Sequence, residues 1–171
     1  MRRLILLAAI LSACSPRPDA REGYRSAGQI TSIVFFDAQR FAGHWYEVAA
    51  FRPASAGACR GGQSDYRPRA DGGLEVTEVS CTSGDPGTRR GTAVLTGPGR
   101  LTLSFGRATE TYWMLWVDEG YRTAVVGMPS GRRGFILNRD ASIPADRMQA
   151  AREILEWNGY DLARLVAEPG R

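Results

Sequence analysis

The chain has 171 residues, a length typical of one domain, and 43% of them are hydrophobic, which is enough to build a core. Its 22 basic residues outnumber the 18 acidic ones, but two of the basic residues, Arg2 and Arg3, belong to a leader, so the remainder is nearly balanced. This balance gives no indication of nucleic-acid binding, which requires clustered basic surface. The 20 glycines cluster with Asp, Pro and Ser between short apolar runs, a pattern typical of a β-rich fold with many tight turns.

Residues 1–14 combine a short basic segment, an apolar run and a cysteine. The apolar run, 4–11, is too short to span a membrane, since a spanning helix needs about 20 apolar residues. The residues that follow, Leu11-Ser12-Ala13-Cys14, resemble the lipobox of bacterial lipoproteins. We therefore predict a signal peptide at 1–13 that is removed, and a diacylglycerol attached to Cys14. The alternative is an ordinary signal peptide in which Cys14 is incidental.

The next segment is rich in Pro, Arg, Asp, Gly and Ser and has little to bury. This composition predicts a lipidated N-terminus and flexible tether at 14–32, followed by a folded domain at 33–171. Two arginine pairs of that domain, Arg89-Arg90 and Arg132-Arg133, fall in apparent turns. We interpret these pairs as solvated loop charges; the alternative is that one of them contacts anionic headgroups.

Short apolar runs alternate with turn-forming residues through the domain. The turn signals, among them 84–87, 97–99 and 129–131, combine Gly with Pro, Asp or Ser. Eight antiparallel strands at this spacing predict an all-β, up-and-down barrel, which has no exposed edge and is large enough to hold one small ligand. The predicted strands are 45–51, 59–66, 74–81, 91–95, 101–105, 111–117, 123–128 and 134–139.

The three cysteines are an odd number for an exported protein, but lipidation of Cys14 leaves Cys59 and Cys81 as a pair. If the second and third strands turn at 70–71, Cys59 lies directly opposite Cys81, and Tyr66 lies opposite Leu74. An oxidising periplasm would allow the pair to form a disulfide, which we predict. The alternative is two free thiols.

One amphipathic helix is predicted near the C-terminus, at 144–158. Met148, Ala151 and Leu155 recur there at helical spacing, and most of the charged residues lie off this apolar stripe. We expect this helix to pack on the outside of the barrel.

Three segments carry a family resemblance. The segment 36–49 contains Gly43-His44-Trp45 within the longer pattern F-D-x-x-R-F and W-Y-E-x-A, and the segments 117–124 and 135–139 follow. In this order they resemble the three sequence motifs of lipocalins, and the first resembles the bacterial branch that is similar to apolipoprotein D. The resemblance implies an eight-stranded antiparallel lipocalin barrel with one C-terminal helix outside, and the lipobox implies an outer-membrane lipoprotein.

The same resemblance assigns the fold-motif residues Gly43, Trp45 and Arg139 to the closed end of the barrel. There Trp45 plugs the barrel and Arg139 stacks across it, a cation–π interaction of about 1–2 kcal/mol when partly desolvated. We expect Trp45 and Arg139 to specify the fold and not to contact ligand.

Strand parity, with Trp45 and Arg139 facing inward, predicts the lining of the barrel. On the sixth strand the inward set follows from the resemblance, and on the fifth it follows from the alternation of apolar residues with Thr102 and Ser104. The lining is aromatic and aliphatic with two polar exceptions, Glu47 and Tyr112. The predicted ligand-binding residues are Glu47, Ala49, Phe51, Leu103, Phe105, Tyr112, Met114, Trp116, Phe135 and Leu137.

Such a lining suits an acyl chain. We predict that the domain binds a small hydrophobic ligand, such as a fatty acid or lysophospholipid, while anchored to the outer membrane and facing the periplasm. The alternatives are a structural lipoprotein with a filled barrel and, with less support, a lipocalin-type enzyme. Glu47 either contacts the ligand or makes hydrogen bonds within the barrel.

The sequence offers little for catalysis or metal binding. His44 is the one histidine and points away from Trp45 by parity, and no two cysteines have metal-ligand spacing. We predict no enzymatic activity, no metal and no cofactor, and no nucleic-acid partner. Whether the chain forms a homodimer stays an open question.

Overall fold

The computed structural model of the chain describes residues 23–26, 28–52, 56, 59, 61–83 and 85–168. The predicted signal peptide, Cys14 and the first part of the predicted tether lie outside these residues. Within the described ranges, no helix is long and apolar enough to cross a membrane.

The described residues form nine strands, two α-helices and a three-residue 3-10 helix. In chain order these are α1 (Ala38–Phe41), β1 (Gly43–Phe51), β2 (Gln63–Pro68), β3 (Leu74–Ser83), β4 (Asp85–Gly97), β5 (Arg100–Phe105), β6 (Ala108–Val117), β7 (Thr123–Gly127), β8 (Gly134–Asn138), α2 (Ala145–Trp157), the 3-10 helix (Leu162–Arg164) and β9 (Leu165–Ala167).

The strands β2 to β8 pair antiparallel in chain order, and β1 pairs with both β2 and β8, which closes the barrel. The prediction of an eight-stranded antiparallel barrel with a C-terminal helix outside is confirmed. The ninth strand was not predicted, because three residues carry too little pattern. It pairs with the end of β1, where Phe51 lies opposite Leu165.

Two apolar clusters hold the fold together. One fills the barrel, with Trp45, Leu101 and Met114 fully buried. The other lies between the barrel wall and α2, where Ala151 and Leu155 are fully buried in the same cluster as strand residues such as Ile136. The β8 strand is therefore buried along its whole length, on both faces, which explains its central apolar run of Phe135, Ile136 and Leu137.

The closed end of the barrel is formed by α1, Trp45 and Arg139. The Trp45 indole donates a 2.8 Å hydrogen bond to the carbonyl of Phe41, and its ring stacks on the Phe41 ring. Arg139 lies over the outer side of Trp45. Gly43 begins β1 with a φ of 104°, and a Cβ there would lie 3.1 Å from Nη1 of Arg139. Glycine therefore suits this position both for its backbone conformation and for the limited space beside Arg139.

The opposite, open end carries the turns that follow β1, β3, β5 and β7. The chain enters the described structure at this end, because the Tyr24 amide donates to the Gly131 carbonyl (2.7 Å) in the β7–β8 turn. It then runs along the barrel, and the Ile33 amide donates to the Met114 carbonyl. The structure therefore differs from the predicted tether: most of 23–32 is described in contact with the barrel, fastened by backbone hydrogen bonds that composition cannot reveal.

Cys59 and Cys81 form the predicted disulfide, with Cα atoms 5.4 Å apart. The register used to predict it is wrong by two residues, because Tyr66 lies opposite Val76 and not Leu74. The cause is a wider turn, 69–73, in which the carboxylate of Asp71 accepts hydrogen bonds from Arg69 and from the Gly73 amide. Cys59 precedes β2, so the connecting loop brings it to Cys81.

Candidate functional site at the open end of the barrel

Two β-bulges decide which side chains face the interior. In β1, Glu47 lies opposite Leu137 but Ala49 lies opposite Ile136, so Val48 is an extra residue. In β6, Met114 lies opposite Val126 but Trp116 lies opposite Val125. An extra residue reverses the alternation of faces beyond it.

The inward orientation predicted for Ala49, Phe51 and Trp116 is therefore wrong. These three residues lie in the outer cluster under α2, and Ala50 takes the inward place in β1. The other predicted lining residues lie before the bulges or on strands without one. The structure brings these residues together inside the barrel: Glu47, Leu103, Phe105, Tyr112, Met114, Phe135 and Leu137.

Above the apolar interior lies a buried network of arginines and carboxylates. Arg89 of β4 donates to Glu78 of β3 (2.7 Å) and to Glu110 of β6 (2.5 Å). The Tyr112 hydroxyl accepts from Arg89 at 3.1 Å and donates to Glu78 at 3.1 Å. Arg89 also stacks on the Phe105 ring at 3.9 Å, so the guanidinium is held on several sides.

Two more arginines continue the network toward β1. Arg133 donates to the Tyr112 hydroxyl (2.8 Å) and lies 3.7 Å from the carboxylate of Glu47. Arg52 donates to Glu47 (2.7 Å) and to Glu168 (2.5 Å), which follows β9. The network therefore ties the last described residues of the chain to the barrel interior.

The network shifts the titration of its members. Burial raises the pKa of the Glu47 carboxyl, although the charges of Arg133 and Arg52 oppose this shift. Burial also acts to raise the pKa of Glu110, but hydrogen bonds and charge from Arg89 outweigh it and hold that pKa below its usual value. Burial raises the pKa of the Tyr112 hydroxyl well above 10, so this group stays protonated.

Sequence reasoning identified Glu47 and Tyr112 but missed the rest of the network. The interpretation of Arg89 and Arg133 as solvated loop charges is wrong, because both pair with buried carboxylates. Parity would have found Glu78 and Glu110: Glu78 continues the inward alternation of Leu74 and Val76, and Glu110 that of Tyr112. Arg89 then follows as the partner directly opposite Glu78.

Among the described residues, the space inside the barrel is small. One cavity beside Glu47, Ser80 and Phe135 has a volume of about 20 Å³, and a second beside Ser64 and Glu78 has about 10 Å³. Each has room for about one water molecule. A drug-sized ligand needs roughly 300–1,000 Å³, so an acyl chain would have to displace side chains to enter this part of the barrel.

A larger groove of about 610 Å³ opens at the rim between β6 and the β7–β8 turn. It exists because the pairing of β6 with β7 begins only at Trp113, opposite Gly127. Trp113 and Met128 give the groove apolar walls, and Glu110 and Arg133 connect it to the buried network. Its size falls in the range of ligand sites.

The described residues contain no cluster of histidine, cysteine or acidic side chains that could hold a metal ion. His44 lies on the outer face near the closed end, 3.1 Å from Asp65. The chemistry at the open end is therefore that of arginine, carboxylate and phenol groups around an apolar interior.

The comparisons with known proteins agree with this architecture. A family model described as a lipocalin-like domain matches residues 36–170. The chain is a lipocalin. It is 31% identical to the outer membrane lipoprotein Blc of Escherichia coli K12 over 99% of both chains, and 27% identical to temperature-induced lipocalin-1 of Arabidopsis thaliana over 77% of both chains. The prediction of a bacterial lipocalin is confirmed.

Solved lipocalin structures share the fold at low sequence identity. The siderocalin Ex-FABP superposes with a TM-score of 0.62 at 17% identity, over 77% of this chain and 95% of that one. Lobster apocrustacyanin A1 superposes with a TM-score of 0.61 at 15% identity, over 78% and 79%. Lipocalins are generally binding or transport proteins for small hydrophobic ligands.

Proposed function

We propose that this lipocalin binds an amphiphilic lipid, such as a fatty acid or lysophospholipid, at the open end of its barrel, without catalytic turnover. We further propose that it does so at the outer membrane, facing the periplasm, from a lipid anchor on Cys14. Its bacterial relatives named outer membrane lipoprotein Blc support the envelope location. The lipobox-like sequence that ends at Cys14 supports the anchor.

The groove at the rim is the observation that carries the ligand proposal. Its volume of about 610 Å³ accommodates an acyl chain, and Trp113 and Met128 offer apolar contact. Glu110 and Arg133 at its inner side offer polar contact for a headgroup. The predicted lining residues deeper in the barrel would contact the acyl chain once that acyl chain moves inward.

Displacement of a fluorescent fatty acid by lysophospholipid tests this proposal. Thr109 lies on the groove wall, and we expect Thr109→Trp to fill the groove and weaken binding of the probe. Thr88→Trp is the matched control, because Thr88 is also an exposed strand threonine but lies outside the groove. Equal binding by both variants would remove the groove from the proposal.

A structural role with a filled barrel is the second candidate, favoured by the interior cavities of about 20 and 10 Å³. The two candidates differ in one measurement. A natively folded chain that binds neither the fluorescent fatty acid nor lysophospholipid supports the structural role, whereas lipid that co-purifies with the chain and is identified by mass spectrometry supports the binding role.

A further inference from the structure

One arginine lies between the groove at the rim and the interior of the barrel. Arg133 lines the groove of about 610 Å³ and also both interior cavities, of about 20 and 10 Å³. Among the described residues, no other residue lines both the groove and an interior cavity. An acyl chain that moves from the groove into the barrel therefore has to pass Arg133 first.

The guanidinium of Arg133 is held more loosely than those of the other two arginines in the network. It donates to the uncharged hydroxyl of Tyr112 at 2.8 Å. Three carboxylates surround it, but their nearest oxygens lie at 3.7, 3.9 and 3.6 Å, which is beyond hydrogen-bond distance. These carboxylates belong to Glu47, Glu78 and Glu110.

Each of the three carboxylates keeps a closer cation if Arg133 moves away. Arg52 donates to Glu47, and Arg89 donates to both of the others, at 2.5 to 2.7 Å. The Tyr112 hydroxyl also keeps its hydrogen bond from Arg89. A buried carboxylate without a cation is costly, so the loss of Arg52 or Arg89 from the network is unfavourable. Arg133 is the arginine that can leave without isolating a buried charge.

The backbone around Arg133 is fixed, so movement at this position is confined to the side chain. The Tyr160 hydroxyl donates to the Arg133 carbonyl at 2.9 Å. In the same turn, the Gly131 carbonyl accepts from the Tyr24 amide at 2.7 Å. The Arg133 side chain is partly exposed where it lines the groove. Rotation about its own single bonds therefore carries the guanidinium outward into the groove, where water can hydrate it.

We propose that Arg133 is the gate between the groove and the barrel interior, and that it determines how far an acyl chain enters the barrel. In the closed position the guanidinium contacts Tyr112, and in the open position it lies in the groove beside the site proposed for the headgroup. This inference rests on the proposed lipid binding and deepens it, because it names the side chain that the ligand displaces.

The size of the Arg133 side chain sets the size of the effect. Protein interiors are close-packed, so the space left by its atoms beyond Cβ holds about six carbon atoms of an acyl chain. Each methylene buried there tightens binding about fourfold. In the native chain, part of this gain is spent on displacing the guanidinium from the Tyr112 hydroxyl. The affinity should therefore rise less steeply with acyl length once the ligand reaches Arg133.

A series of saturated fatty acids from octanoate to stearate tests the gate, each acid displacing the fluorescent fatty acid from the natively folded chain. Arg133→Ala removes the gate. Arg132→Ala is the matched control, because Arg132 is the neighbouring arginine and lines the groove but neither interior cavity. Arg133→Gln is a second variant that shortens the side chain but keeps a donor for Tyr112, and it decides the test if the alanine variant does not fold.

We expect the affinity of the native chain and of Arg132→Ala to level off as the fatty acid lengthens. The affinity of Arg133→Ala should continue to rise over about six further carbons, and Arg133→Gln should lie between the two. For stearate, Arg133→Ala should bind about tenfold or more tightly than the native chain, which corresponds to about two further methylenes. A variant that only destabilises the barrel would weaken binding at every length and would not extend the rise.

The outcomes separate the gate from the proposed function on which it rests. If no fatty acid displaces the probe from the native chain or any variant, the proposed lipid binding fails and the gate fails with it. Displacement with one length dependence in the native chain and both Arg133 variants overturns the gate alone. A continued rise in Arg132→Ala as well overturns the assignment of the gate to Arg133.

Discussion

The guanidinium carbon of Arg139 lies 3.8 Å from the centre of the Trp45 ring. The same guanidinium donates hydrogen bonds to the carbonyls of His44 and Ala42, at 2.8 and 2.9 Å. It thereby satisfies the Ala42 carbonyl, which follows α1 and is reached by no helical amide, and the His44 carbonyl of β1, and it covers the indole that closes the barrel. One side chain fastens α1, β1 and β8 at a single point.

Arg139→Met should lower the free energy of unfolding by about 3 kcal/mol, because it removes the cation–π contact and several charged hydrogen bonds. Arg139→Lys should recover only part of this loss, since an ammonium lacks the planar fork. Urea denaturation measures both. Arg122→Met is the control, because Arg122 is exposed and should cost little. Full recovery by lysine would contradict the assigned geometry.

Gly43→Ala should destabilise the barrel more than Gly106→Ala does. Both glycines have positive φ, 104° and 62°, but a Cβ at 43 would lie 3.1 Å from Arg139 whereas a Cβ at 106 meets nothing within 4 Å. The Gly106 substitution should cost about 1 kcal/mol from backbone conformation alone. The excess at Gly43, measured by urea denaturation, reports the combined cost of its more extreme φ and of the contact with Arg139. Equal costs would show that neither the φ of Gly43 nor the contact with Arg139 adds to the cost.

The stability of the protein should fall as the pH rises above about 4.5, by a contribution that Glu47→Gln removes. The pKa of Glu47 is raised above its ordinary value of 4.5, so the folded state holds this proton when the unfolded state has lost it. The free energy of unfolding of the native chain, relative to the Glu47→Gln variant, should therefore decrease between pH 4.5 and the raised pKa.

Glu110→Gln supplies the opposite control for the same measurement. The pKa of Glu110 is lowered, so its contribution should be lost as the pH falls below 4.5 through the lowered value. Urea denaturation of the native chain, Glu47→Gln and Glu110→Gln at a series of pH values measures the pH range of each contribution. Identical pH profiles for the native chain and Glu47→Gln would show that Glu47 titrates normally.

Loss of the Cys59–Cys81 disulfide should cost about 3 kcal/mol of stability, because the bridge closes a loop with a sequence separation of 22 and restricts the unfolded chain. The double variant Cys59→Ser, Cys81→Ser measures the loss by urea denaturation. The unreduced native chain should show no reaction of either cysteine with a thiol reagent. A thiol reaction at both positions before reduction would contradict the bridge.

The sequence was sufficient to predict the barrel because its signals are local. Turn residues and short apolar runs place the eight strands, and the spacing of Met148, Ala151 and Leu155 places α2. The lining was predicted only in part. The Val48 bulge depends on how β1 pairs with β8 and β9, and no residue type in β1 indicates it. The wrong faces of Ala49 and Phe51 follow directly from it.

The charged network was hidden for a different reason. An arginine pair in a polar stretch is typical of a solvated turn, and only the register places Arg89 opposite Glu78. The partners come from three strands, β3, β4 and β6, with Arg89 separated from Glu78 by 11 and from Glu110 by 21 positions in the sequence. A single sequence shows which residue types are present but not which of them lie close together in the fold. The ion pairs of the site could therefore be identified only from the structure.

The network also constrains how this protein can change over evolutionary time. Removing Arg89 alone would leave Glu78 buried without its strongest partner, and removing Glu78 alone would leave the Tyr112 hydroxyl without its acceptor. Either single step is unfavourable, whereas an apolar triple replacement is tolerated more easily. Lineages should therefore keep positions 78, 89 and 110 as a charged set or exchange them together for apolar residues.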